Sequence, residues 1–233
     1  MRRLIEEVQP HGHTENPPPA VASPTRPRLR GWLHLGAFPA VLLAGLVLVA
    51  LGPSPAARLA SAVYVATSAL LFGISGTYHR QRSHRVIEVL RRFDHANIYL
   101  IIAGTYTPFA VVALDGGARA AVLAIVWTGA VAGVVFRTTW IGAPRWLYVS
   151  LYILLGWVAV FFLPQFLDGA GAAACTLVAL GGVCYSVGGV VYGTRRPDPS
   201  PRWFGYHEVF HSFTLAAYVL QYVAVSLVVY QSA

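Results

Sequence analysis

Read for apolar and polar positions, the chain resolves into long apolar runs separated by short breaks rich in arginine, glycine and proline. Seven runs, at 32–51, 59–79, 96–114, 118–136, 146–162, 176–192 and 206–230, approach the length a membrane helix needs. That length is about 20 residues for roughly 30 Å of hydrocarbon. The ten-residue alternating segments of a membrane barrel do not recur. The pattern therefore predicts an all-α, integral membrane bundle of seven transmembrane helices over residues 31–233. Its least defined boundaries fall at the breaks "RTTWIGAPR" and "LPQFLDGAGAAA".

Composition agrees with a lipid environment. Only 11% of the residues are charged and 56% are hydrophobic, whereas soluble domains carry about a quarter charged residues. The net charge of +8 would suit a nucleic acid only if it formed a basic face on a folded domain. Here the basic residues, all arginine, sit between the apolar runs, so no nucleic-acid partner is expected. One set of breaks holds Arg2, Arg3, Arg26, Arg28, Arg30, Arg80, Arg82, Arg85, Arg91, Arg92, Arg137, Arg145, Arg195, Arg196 and Arg202; the alternate set holds Arg58 and Arg119. The positive-inside bias places the N-terminus in the cytoplasm and, after seven crossings, the C-terminus outside. The all-arginine usage points to a GC-rich bacterial genome and so to the bacterial inner membrane. Residues 1–30, polar and proline-rich, read as a disordered cytoplasmic tail in which His11 and His13 are solvated. Cys175 and Cys184 lie nine residues apart in an apolar stretch and suit neither a disulfide framework nor a paired zinc motif.

Ionisable groups inside membrane helices are costly and mark candidate functional sites. Ser75 and His79, in "SGTYH", lie four apart at the end of the second run; Asp94, in "RRFDHANIYLIIAGTYTPF", opens the third; His207 and His211 lie four apart at the start of the seventh. Residues four apart share a helix face, and the topology brings all five to one depth near the cytoplasmic surface. Three neutral imidazoles binding zinc leave a fourth position for water, whose pKa the metal lowers to about 7. Asp94 would accept a proton from that water, and Ser75 would hydrogen-bond the water or an oxyanion. Simpler roles exist for each: Asp94 as an N-cap, Ser75 bonded back to the Leu71 carbonyl, His79 as an interfacial histidine. His34 reads as interfacial, His84 as solvated, and His95 as turned about 100° away from Asp94. "HEVFH" also matches HExxH, in which Glu208 would be the base of an intramembrane metalloprotease. The simpler reading has Glu208 snorkelling to the arginine-rich surface.

The S-x3-H of the second run, "DHANIYLIIAGTYTPF" and the H-x3-H of the seventh resemble the hemolysin III family over about residues 30 to 230. The resemblance places the chain with the progestin and adiponectin receptors and, more distantly, the alkaline ceramidases. It implies a seven-helix bundle with a cytoplasm-proximal zinc site held by His79, His207 and His211, with Ser75 and Asp94 beside it. In that family pattern only the two histidines of the last motif are required, not the glutamate between them.

Three functions follow as expectations. The first is a zinc-dependent hydrolase of a lipid amide or ester, with membrane lipids as its partners. The second, carried by the family name, is a haemolytic, pore-forming protein with structural zinc. Against the pore, only Thr105, Tyr106 and Thr107 cluster polar groups on one helix, where Pro108 offers a kink. The third is a sensor of membrane state in which zinc ties the second and seventh helices together.

Overall fold

A computed structural model describes residues 27–231. The expected tail therefore lies outside the described residues up to position 26, His11 and His13 included. From residue 27 the chain forms α1 (Trp32–Ala50), α2 (Pro55–Arg80), α3 (His84–Ala113), α4 (Gly116–Thr139) and α5 (Arg145–Gly156). A 3₁₀ turn (Val158–Phe162) leads into α6 (Leu163–Thr194), and α7 (Tyr206–Gln231) follows. Among the described residues the one β feature is an isolated bridge between Ser200 and Phe204. The described residues are all-helical, with six stretches among them long and apolar enough to cross a membrane. The fifth, Arg145–Thr194, contains α5, the 3₁₀ turn and α6 together.

Apolar composition and internal hydrogen bonding make these segments helices, since hydrocarbon offers backbone groups no other partner. Embedded hydroxyls are satisfied in the same way, by carbonyls one turn back: Ser68 to Tyr64, Thr105 to Ile101, Thr107 to Ala103 and Ser186 to Gly182. α2 starts with Ser54 accepting from the Ala57 N–H at 3.2 Å and with proline at its first turn.

α3 is the central element. It packs on α2, α4, α5, α6 and α7, and it has the most buried apolar window of the six stretches. Small residues let its neighbours approach: a side chain at Gly104 would overlap Thr67 of α2, and one at Gly133 of α4 would overlap the Tyr99 ring.

The 50-residue stretch doubles back on itself. Trp157 Nε1 donates to Ser186 Oγ at 3.0 Å, Gly189 packs on Val149, and Arg145 reaches the Tyr192 carbonyl at 3.3 Å, so α5 runs antiparallel to the second half of α6. One end of the bundle then gathers the starts of α1, α3, α5 and α7 with the finishes of α2, α4 and α6. There the Arg28 and Leu29 N–H groups bond the Arg202 and Trp203 carbonyls, and Arg92 bonds the Thr138 carbonyl.

Three boundaries differ from the sequence reading. α3 starts at His84, with Ser83 as its N-cap, so Asp94 lies inside the helix and is not its cap. The arginines at 91 and 92 misplace that boundary because a helix leaving the membrane carries its charge outward. α6 starts at Leu163, ahead of residue 176, and runs through most of "LPQFLDGAGAAA" with a break at Gly171, whose φ of 78° favours glycine. The segment expected at 146–162 divides into α5 and the 3₁₀ turn. Cys175 and Cys184 are both free thiols.

Candidate metal centre

At the end where α1, α3 and α7 begin, three imidazoles converge. His79 comes from the last turn of α2. His207 and His211 come from the first turns of α7, on one face because they are four apart. Their ring centroids lie 4.5 Å (His79–His207), 4.5 Å (His207–His211) and 5.2 Å (His79–His211) apart. One nitrogen of each lies within 4.8 Å of the others, a group that could hold a metal ion. The Nε2 atoms of His79 and His207 are 3.0 Å apart. Ligands at 2.0–2.1 Å on tetrahedral vertices stand about 3.3 Å from one another, so that pair is near coordination spacing and His211 needs a modest inward turn. Three imidazole nitrogens within 4.8 Å of one another, in a largely buried corner, fit a borderline-soft divalent cation.

Two other expected residues join the cluster. The Asp94 carboxylate, on α3, places Oδ2 3.9 Å from His79 Nε2. Ser75 is buried one turn before His79, on the same face of α2, and lines the same cavity as Asp94. Gly31, just before α1, makes room for this corner: with φ at +80°, a Cβ there would stand 2.7 Å from His79 Cβ.

Glu208 takes no part. It is 1% exposed, so it does not snorkel. Its Oε1 pairs with Arg30 Nε, and its Oε2 accepts the Gly205 N–H at 2.9 Å. The carboxylate ties the entry of α1 to the start of α7, in the manner of a capping-box acid. With both oxygens engaged, it is not the free base that a protease reading of HEVFH requires.

His34 departs from its expected interfacial place. It is 2% exposed, its ring stacks on His211 at 3.8 Å and 3° between planes, and neither ring nitrogen has a hydrogen-bond partner among the described residues. The signal was present: an ionisable residue in the first turn of an apolar run meets the same criterion that singled out the other histidines. His84 is exposed, as expected. His95 contacts Arg137 and Tyr192 and is not one of the three histidines that could share a metal.

Two cavities meet at the cluster. One, of about 200 Å³, runs from Ser75 and Asp94 along α3, α5, α6 and α7 to Phe166 and Cys175, between mostly apolar walls. The other, of about 300 Å³, is lined by His79, His207 and several arginines. His95, Tyr192 and His207 form walls of both.

The profile of the family described as "Haemolysin-III related" matches residues 22–222. The chain is 32% identical over 149 residues to the Hemolysin-3 homolog of Bacillus subtilis (strain 168), spanning 64% of this chain and 67% of that protein. It is 29% identical over 171 residues to Hemolysin-3 of Bacillus cereus, spanning 72% and 74% respectively.

Proposed function

We propose, from the premise that the chain belongs to the haemolysin III family of multi-pass membrane proteins, that it is a zinc-dependent hydrolase of a lipid amide or ester. The observation that carries this reading is the convergence of His79, His207 and His211 beside a carboxylate, at the mouth of an apolar cavity. We place it in the bacterial inner membrane with seven crossings, N-terminus in the cytoplasm and C-terminus outside. Support comes from the antiparallel α5–α6 pair and from the described arginines, which crowd the triad's end of the bundle and leave Arg58 and Arg119 at the other.

His79, His207 and His211 would hold the metal. When bound, zinc supplies Lewis-acid polarisation of a carbonyl and acidifies water. The chain's own residues supply the rest. Asp94 is the proton acceptor for an attacking water. Ser75 gives its single O–H to Asp94 while the carboxylate is charged. Once Asp94 has taken a proton it donates to Ser75 Oγ, which frees the Ser75 hydrogen for the oxygen of the tetrahedral intermediate. The apolar cavity takes the acyl chain and keeps bulk water from the bond under attack.

Metal content of the detergent-purified protein tests this first. One zinc per chain is expected for a three-histidine site, lost in His79→Ala and kept in Glu208→Gln. Hydrolysis of a panel of ceramides, acylamides and esters follows. A fully zinc-loaded protein that turned over none of them would end the hydrolase reading.

The relatives' name favours a second reading, a haemolytic pore with structural zinc. Against it, two groups of α3's polar cluster are tied off within the bundle: Tyr106 Oη bonds the Gly156 carbonyl at 2.8 Å and accepts the Ala159 N–H, while Thr107 accepts from Trp127 Nε1. Dye release from liposomes that survived His79→Ala would favour the pore.

A further inference from the structure

The arginine-lined cavity beside the triad has a charge imbalance that the hydrolase reading leaves unused. Arg137, at the end of α4, is 1% exposed. Its guanidinium lies over the Tyr148 ring at 4.3 Å and donates to the Trp140 and Ile141 carbonyls and to His95 Nδ1, the last at 2.7 Å. Its Nε is buried with no partner among the described residues. Because a guanidinium only donates, His95 Nδ1 accepts, which leaves the ring proton on Nε2, facing Tyr192 Oη at 3.4 Å.

Arg91 and Arg145 line the same cavity. Among the described residues none of these three arginines has a carboxylate within salt-bridge distance, whereas Arg30, also in the wall, is paired with Glu208. A buried cation without a counterion is expensive. Snorkelling does not explain Arg137, since its side chain is enclosed.

From this imbalance, and resting on the hydrolase reading for what lies beside it, we propose that the cavity binds the phosphate monoester headgroup of a lipid. Arg137 is the buried cation, half-buried Arg145 and exposed Arg91 add two more guanidiniums at the cavity wall, and planar forked donors with this charge match a phosphate dianion. A lone carboxylate would balance one of them. The shared walls His95, Tyr192 and His207 set the order along the substrate: phosphate among the arginines, the ester or amide carbonyl at the triad, the chain in the apolar cavity.

Binding is read on chelator-treated full-length protein in detergent, where no turnover occurs, so a failure here is separate from a failure of the hydrolase reading, which is read from product release on the zinc-loaded protein. The probes are 1-oleoyl-glycerol-3-phosphate, its phosphocholine counterpart, and inorganic phosphate. The wild type should bind the monoester at least tenfold more tightly than the phosphocholine lipid. Arg145→Gln and the exposed, fold-sparing Arg91→Gln should each reduce that preference by threefold or more, and Arg137→Gln should abolish it. Competition by millimolar inorganic phosphate would show that the phosphate group alone is recognised. A lipid preference without such competition would show that the headgroup is read only on a lipid. Equal binding of the two lipids, or a preference intact in Arg91→Gln and Arg145→Gln, overturns the proposal.

Discussion

Single residues at this site divide by what their neighbours leave them free to do. His79 is placed by the absence of an atom, the Cβ of Gly31, so Gly31→Ala should displace the imidazole without touching a ligand. Zinc stoichiometry is expected to fall well below that of the wild type, and full stoichiometry would show that His79 is placed otherwise. Glu208 acts through its pair with Arg30. Arg30→Met leaves a buried carboxylate without its cation, a loss of about 3 kcal/mol, visible as a lower Tm in detergent. Glu208→Gln keeps an acceptor for the Gly205 N–H and should cost less. His34 stacks on His211 while both of its nitrogens are unpartnered among the described residues. His34→Phe keeps the stacking and removes the polar atoms, so unchanged zinc content with reduced lipid turnover is expected; loss of zinc would make it part of the metal's support.

Among the elements, α3 governs the rest because it touches five other helices and carries Asp94 and His95 on its inner length. Its closeness to α2 rests on Gly104, where a methyl group would collide with Thr67. Gly104→Ala should therefore destabilise by about 2 kcal/mol through overpacking. Gly36→Ala, on an open face of α1, should be neutral or slightly stabilising. Equal Tm values for the two variants would refute the packing argument. α6 matters differently. Its break at Gly171 lets 163–170 lie against the end of α3 while the longer second half pairs with α5 and α7.

For the whole molecule, the alternating helix ends make a topology that single-cysteine labelling can read. Sites at 81–83 and 197–201 should react from the cytoplasmic side, and sites at 52–54, 115–117 and 163–168 from the outside. If 163–168 labelled from the cytoplasmic side, the seven-crossing arrangement would fail. Much of this was legible beforehand, because transfer of a segment into hydrocarbon depends on its own composition. Apolar runs, arginine asymmetry and the i, i+4 histidine pairs are local properties that survive without knowledge of neighbours. They determined a helical membrane protein and drew His79, His207, His211, Asp94 and Ser75 together at one depth. Tertiary structure alone decided what depends on facing partners. It put Asp94 inside a helix and not at its cap, gave Glu208 to Arg30 and Gly205, buried His34 on His211, and enclosed Arg137 beside His95 with no carboxylate partner among the described residues. A residue's charge and polarity are written in the chain, but which group satisfies them is fixed by segments far away in sequence, and only packing brings those segments into contact.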